Sequence, residues 1–373
     1  MTGVVTGLVC AVCGARESIA TPLSWLCPNA TLSDRHHVLH FESSVEPFRP
    51  TDEANPYLAF RRYLAVDSLG ESLGLSVAQR VSIITSADEA VSRVAGTGFL
   101  RTPLTRSDEL SEALGFSATG GIWVKDETAN VGGSHKARHI FTELLHLLMV
   151  EAAGQAPWTP TTRPSLAIAS CGNAAIAAST LAAAMSWPIA VHVPPTASAA
   201  VLATLEKLGA TIVECPRRNT DPAGDPCVLR FREAVAAGAI PFGVQGTENA
   251  WCLDGGRTIG WEITEELGHL PTASLFKLAA EHWLHVSVPR CVLQACIQSC
   301  MPYKRKVAHH WSVHGRTQLQ LAAREMLVRA GVSACGHGKR LRHRLQTGFW
   351  MMRPTTGSVC LMPWQTRVAH RSL

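Results

Sequence analysis

No uninterrupted apolar stretch in these 373 residues reaches the roughly 20 that a membrane-spanning helix needs. Residues 174–193 come closest, and Ser179, Ser186 and Pro188 divide them into an alanine-rich helix and a following strand. The first residues also lack the basic n-region of a secretory leader. Together these absences lead us to expect a cytoplasmic protein with no membrane partner. The twelve cysteines lack the regular spacing of a disulfide framework, so we read them as thiols or ligands. Acids run out towards the end: residues 271–373 hold 15 Lys+Arg and two acids, Glu281 and Glu325, whereas the first 270 residues hold 19 and 27. Glycine runs out as well. After Gly268 the next is Gly315, and no Gly-Gly pair follows Gly256.

What is present describes a globular chain, 46% hydrophobic and 17% charged, long enough for two domains and a large core. Near the start, Cys10-Ala11-Val12-Cys13 precedes Cys27, with His36, His37 and His40 beyond. A C-x2-C knuckle followed by a third cysteine is half of a zinc ribbon, which makes Cys10, Cys13 and Cys27 candidate metal ligands. Cys27-Pro28-Asn29-Ala30 lacks a closing second cysteine, so a histidine would have to substitute. Reduced free thiols are the reading we weight more heavily. Residues 57–69 and 86–94 have helical apolar spacing, and Thr102-Pro103-Leu104 breaks that pattern before another short helix.

The chain is organised around residues 124–138. A short strand over 121–124 leads into a polar loop with a glycine pair, Gly132 and Gly133, and then into a helix over 135–150. Lys136 falls in its first turn, behind Ser134, a residue able to cap it. The positive end of the helix dipole is a poor place for a cation and, with partial burial, favours the uncharged, nucleophilic amine. Such a lysine forms Schiff bases with carbonyls. Beyond it, strands over 165–170, 188–193, 211–214 and 241–245 alternate with helices over 174–185, 197–208 and 226–237. That alternation predicts βαβ units and a parallel sheet covered on both faces. Ligands of such sheets sit at the carboxyl ends of the strands, and we expect both special loops, 125–134 and 170–173, at such ends. Ser170-Cys171-Gly172-Asn173 would present backbone N–H groups and an amide at a helix N-terminus, which suits a carboxylate.

Taken together, Lys125-x-Glu127-x-x-Asn130, Gly133-Ser134-His135-Lys136-x-Arg138, Ser170-x-Gly172-Asn173 and Gly255-Gly256-Arg257-Thr258-Ile259-Gly260-x-Glu262-Ile263 resemble, in order and spacing, the pyridoxal-phosphate enzymes of the tryptophan-synthase β type, or fold type II. The early cysteine pair, and Trp123-Val124-Lys125-Asp126-Glu127-Thr128 with Ser134-His135-Lys136-Ala137-Arg138, look most like threonine-synthase-like members. The resemblance covers about residues 55–267. It implies an α/β, two-domain, three-layer parallel-sheet fold. It also implies pyridoxal 5'-phosphate bound through Lys136, with Ser134 positioning that lysine and Asn173 bonding the cofactor's ring hydroxyl. The loop Ser170, Cys171, Gly172, Asn173 and Ala174 would take the substrate carboxylate. The implied activity is a carbon–oxygen lyase reaction, a β/γ-elimination or replacement on a small amino acid, in a chain that forms a homodimer. Serine/threonine dehydratase and cysteine synthase are the neighbouring alternatives. We read Gly255, Gly256 and Gly260 as sites of close backbone approach, and Lys125, Glu127 and Arg138 as structural.

The pattern fails after residue 270. The family carries a strand and then a run of glycines whose amides hold the cofactor phosphate; Val286-Ser-Val-Pro-Arg-Cys-Val-Leu-Gln-Ala-Cys-Ile-Gln298 stands there instead. The expected division is therefore an N-terminal Cys/His segment (1–45), the first part of a large domain (46–126), a small α/β domain (127–245), a return to the large domain (246–270), and a basic, atypical tail (271–373). Out-of-frame translation is our reading of that tail, and it would leave the enzyme inactive. The alternatives are a diverged enzyme that grips phosphate with Lys and Arg, or a non-catalytic remnant. The remnant's runs Lys304-Arg305-Lys306 and Lys339-Arg340-x-Arg342-x-Arg344 would bind nucleic acid or an acidic partner. A solvated tail that binds no nucleic acid is the reading we prefer for those runs.

Overall fold

A computed structural model describes residues 4–31, 34–44, 47–113, 115–116, 120–269, 271, 273–279, 282–287 and 349–353, the last three stretches as backbone. It opens with β1 (Val5–Cys10), β2 (Arg16–Ser18) and β3 (Leu39–Ser43), an antiparallel sheet in the order β2-β1-β3. Helices α1 (Pro56–Ala59), α2 (Ala65–Ser72) and α3 (Val77–Ala95) follow. Ser76 and Gln79 close a capping box at the start of α3, and Gly96 ends it at φ 76°. After β4 (Leu104–Ser107), α4 (Asp108–Ala113) and β5 (Ile122–Asp126) comes α5 (Lys136–Ala152), buried around nearly its whole circumference.

The expected alternation is then present: β6 (Leu166–Ala169), α6 (Asn173–Ala184), β7 (Ile189–Val193), α7 (Ala199–Lys207), β8 (Thr211–Glu214), α8 (Pro226–Ala236) and β9 (Ile240–Pro241). The four strands form a parallel sheet ordered β8-β7-β6-β9. Leu166, Ala167 and Ile168 are fully buried, as a strand covered on both faces requires. The order runs outward from β6 to β8 and then jumps back to set β9 on the other edge of β6. Right-handed crossovers therefore put α6 and α7 on one face and α8 on the other, giving three layers. The fold class is α/β, as the residue pattern predicts.

Helix α9 (Cys252–Leu267) is followed by β10 (Ala273–Ala279), β11 (His282–Ser287) and β12 (Phe349–Arg353). These strands join β5 and β4 in a third sheet, ordered β11-β10-β12-β5-β4 and antiparallel in every pairing. One expectation fails here. The loop that starts at Lys125 leaves β5, which belongs to this antiparallel sheet, so it does not lie at the end of a parallel strand. The rest of the atypical tail lies outside the described residues.

The chain divides into two compact units. One gathers Met1–Arg101 and Ala129–Glu262; the other holds Thr102–Thr128 and strands from later in the chain. Within the second, Lys125 is fully buried and donates to the Thr102 carbonyl and to Glu266 Oε1 at 3.2 Å, while Glu127 accepts the Thr102 hydroxyl at 2.5 Å. These contacts fit the structural role expected of both. Among the described residues, no helix is long and apolar enough to cross a membrane.

Candidate functional site

The approach to Lys136 is built by backbone geometry. Asn130 turns the chain by accepting the Val131 N–H on its own side chain at 2.8 Å. Gly132 and Gly133 then take φ 67° and 69°, a left-handed pair that side chains with a Cβ resist. At Gly132 a Cβ would also come within 3.4 Å of Ala177 Cα, so this turn lies against the beginning of α6. Ser134, buried, accepts the Lys136 N–H at 3.4 Å, but the N-cap position of α5 falls on His135, whose side chain makes no capping bond. Lys136 is half-buried and is the first residue of α5.

Behind Lys136 the helix is clamped. Arg138, fully buried, donates to Glu262 through both terminal nitrogens at 2.5 and 3.3 Å and to Thr258 Oγ1 at 3.0 Å, and its carbonyl accepts the Tyr57 hydroxyl at 2.8 Å. On α9, a Cβ at Gly255 would sit 1.8 Å from the Arg138 carbonyl oxygen, and one at Gly256 would sit 2.4 Å from His139 Cε1. The glycine pair therefore supplies the close helix contact its sequence suggested. His139, one turn after Lys136, holds the Cys252 carbonyl through Nδ1 at 2.8 Å. Burial, followed by the neighbouring Lys136 cation, pushes its pKa down to about 4, so it is neutral near pH 7. Burial likewise raises Cys252 and Glu143 well above their usual ranges. Sequence reasoning missed His139, Glu143 and Cys252. The legible signal was the spacing from Lys136 to His139, three residues along one helix face.

The second loop lies where ligands of open α/β sheets bind, at the carboxyl end of β6 where the strand order reverses. Ser170 is tied to the sheet by its N–H, which donates to the His192 carbonyl at 3.2 Å. Cys171 is exposed, Gly172 half-buried with open space where a Cβ would stand, and Asn173 opens α6 with its side chain exposed. Ala174 is buried beneath it. The first-turn N–H groups of a helix have no partner within it and suit an anion. Helix α6 packs on α5 and on the 131–133 turn, so Lys136 and Asn173 stand at the heads of two adjoining helices in one unit. An amine, an amide and free N–H groups fit the aldehyde and ring-hydroxyl side of pyridoxal phosphate. The segment where a phosphate-holding glycine loop was sought lies, beyond Ser287, outside the described residues. Cys10, Cys13 and Cys27 are brought together elsewhere in this unit.

No curated protein matches the chain. Among solved structures it is similar to maize serine racemase (19% identity, 50% of each chain, TM-score 0.37). It is also similar to apo diaminopropionate ammonia lyase from Escherichia coli (18% identity, 51% of this chain and 54% of that one, TM-score 0.39). A third is the processed form of threonine deaminase isoform 2 from Solanum lycopersicum (17% identity, 52% and 50%, TM-score 0.36). The chain spans about half the length of these structures. Residues 96–278, which contain Lys136, the 170–174 loop and the glycine pair of α9, match the family model described as "Pyridoxal-phosphate dependent enzyme". Over that region the chain resembles the family of pyridoxal-phosphate-dependent enzymes.

Proposed function

We propose that this chain holds pyridoxal 5'-phosphate on Lys136 and carries out a β/γ-elimination or replacement on a small amino acid, as a threonine-synthase-like lyase of the cytoplasm. The observation that carries this reading is that Lys136 and Asn173 are the first residues of two helices packed against each other. Bound there, the cofactor supplies an electron sink for chemistry at the substrate's Cα. The side chains do the placing. Asn173 offers its amide to the ring hydroxyl. The Ser170–Gly172 turn and the opening N–H groups of α6 receive the substrate carboxylate. The Lys136 amine, placed by the Ser134 contact to its backbone and the clamp on Arg138, moves protons at Cα and Cβ. His139, kept neutral by burial, adds no second cation beside it. Dehydration of serine or threonine and thiol addition to an acetylated serine use the same placements and remain alternative substrates of this reading. A homodimer is the expected assembly.

The test is the visible absorbance of the full chain mixed with pyridoxal phosphate, with Lys136→Ala alongside. The expected result is a cofactor band in the parent alone, which borohydride fixes onto Lys136. Release of ammonia and a keto acid from serine or threonine, of acetate from acetylserine supplied with a thiol, or of phosphate from phosphohomoserine would then identify the substrate. No band, or one equal in Lys136→Ala, overturns the reading.

A further inference from the structure

The N-terminal cysteines gain a partner that their spacing does not reveal. We propose that Cys10, Cys13, Cys27 and His37 form a tetrahedral zinc site that braces the N-terminal segment within the unit containing Lys136. The four ligand atoms all lie within 4.8 Å of one another. Cys10 Sγ stands 3.4 Å from His37 Nδ1, and Cys13 Sγ stands 3.6 Å from Cys27 Sγ. Zn–S bonds of about 2.3 Å and Zn–N bonds of about 2.0 Å at tetrahedral angles set ligand atoms roughly 3.5–3.8 Å apart. The two observed separations are those of neighbours around one ion, and the sulfur pair is far beyond the ~2.05 Å of a disulfide.

The backbone is shaped for this. The turn after Cys10 closes with the Gly14 N–H on the Cys10 carbonyl at 2.9 Å, and Gly14 takes φ 73°. The Val12 N–H points at Cys10 Sγ and the Asn29 N–H at Cys27 Sγ, each at 3.4 Å, while Asn29 Nδ2 approaches Cys13 Sγ at 3.4 Å. Every sulfur thus faces an N–H donor, the outer-shell contact that orients a ligating side chain. On the far side of the imidazole, His37 Nε2 faces Asp34 Oδ2 at 3.6 Å, the carboxylate–histidine relation that orients a ligating ring. Cys10, Cys27 and His37 are buried, and four protein ligands leave no open coordination position. Three thiolates with one imidazole favour zinc over magnesium or calcium and describe a structural site.

The site holds one end of a docked loop. Leu23 N–H donates to His146 Nε2 at 3.3 Å, Ser24 O accepts the Trp251 indole N–H at 2.8 Å, and Trp25 O accepts the Ala250 N–H at 3.0 Å. Leu23 stands at φ 58°, a conformation costly to a leucine and kept only where both flanks are fixed. The His146 contact and the ligated Cys27 supply those flanks.

The experiment is metal analysis of the full chain, purified without a chelator or a histidine tag, beside Cys13→Ser and His37→Ala. About one zinc per chain is expected in the parent, and less than about a tenth in either variant. Cys13 is exposed, so its substitution leaves the packing intact. Because a ligand variant can misfold, the parent is also loaded with Co2+. Tetrahedral d–d bands with thiolate charge transfer are expected, and Cys13→Ser should lose them. A parent with neither zinc nor tetrahedral cobalt bands overturns the proposal, as does zinc retained in full by both variants. This outcome is independent of the absorbance test on Lys136.

Discussion

His146 shows how burial converts one imidazole into a pH-dependent contribution. It packs on Trp251 with ring centroids 3.9 Å apart, and burial pushes its pKa down to about 3. Its Nε2 accepts the Leu23 N–H, which only the neutral ring can do. Because the folded pKa lies below the unfolded value of about 6.5, its stabilisation is complete above that pH and is lost as pH falls towards 3. Compared with His146→Phe, which keeps the stacking and removes the titration, the parent should lose roughly 2–3 kcal/mol of relative stability between pH 7 and 4.5. Denaturant unfolding of both proteins at the two pH values checks this. A constant difference would contradict it.

At the scale of elements, the contact between α5 and α9 is the most constrained. Gly255 faces a backbone oxygen, whereas Gly256 faces an imidazole that can move. Gly255→Ala should therefore cost about 3 kcal/mol, the upper end for overpacking, and Gly256→Ala less, read from denaturant midpoints. Much of this level was legible in the sequence. The β6-to-β8 run is recognisable because short apolar strands alternate with alanine-rich or amphipathic helices. Lys136 and Asn173 are legible because glycines and small polar residues mark the helix starts they occupy. The sheet membership of β5 was not legible: its partners β4 and β12 are fixed by pairing between distant segments, and Ile122–Asp126 carries no pattern that separates parallel from antiparallel. Which of His36, His37 and His40 would stand beside the cysteines was illegible for a related reason. Only the pairing of β3 with β1 carries His37 back to Cys10.

For the whole molecule the decisive fact is a change of composition inside one chain. The family match ends at residue 278, close to the point after which acids become scarce and glycine pairs are absent. A phosphate without its glycine loop forgoes several charge-assisted hydrogen bonds, each worth roughly 1.5–3 kcal/mol. Pyridoxal and pyridoxal phosphate should therefore bind this chain within about tenfold of each other, measured by fluorescence titration. A preference for the phosphate ester of a thousandfold or more would mean that basic groups have taken over the loop's task.

The parallel sheet also has a history in time. Strand β6 pairs with β9, joining Leu166 to Ile240. At ribosomal speeds of about 5–20 residues per second, β9 leaves the ribosome roughly 4 to 15 s after β6, being about 70 residues further on. For those seconds the most apolar strand of the nascent chain waits with one edge bare. A chaperone that shields strand edges would find its clearest client here, in the interval before Ile240 arrives.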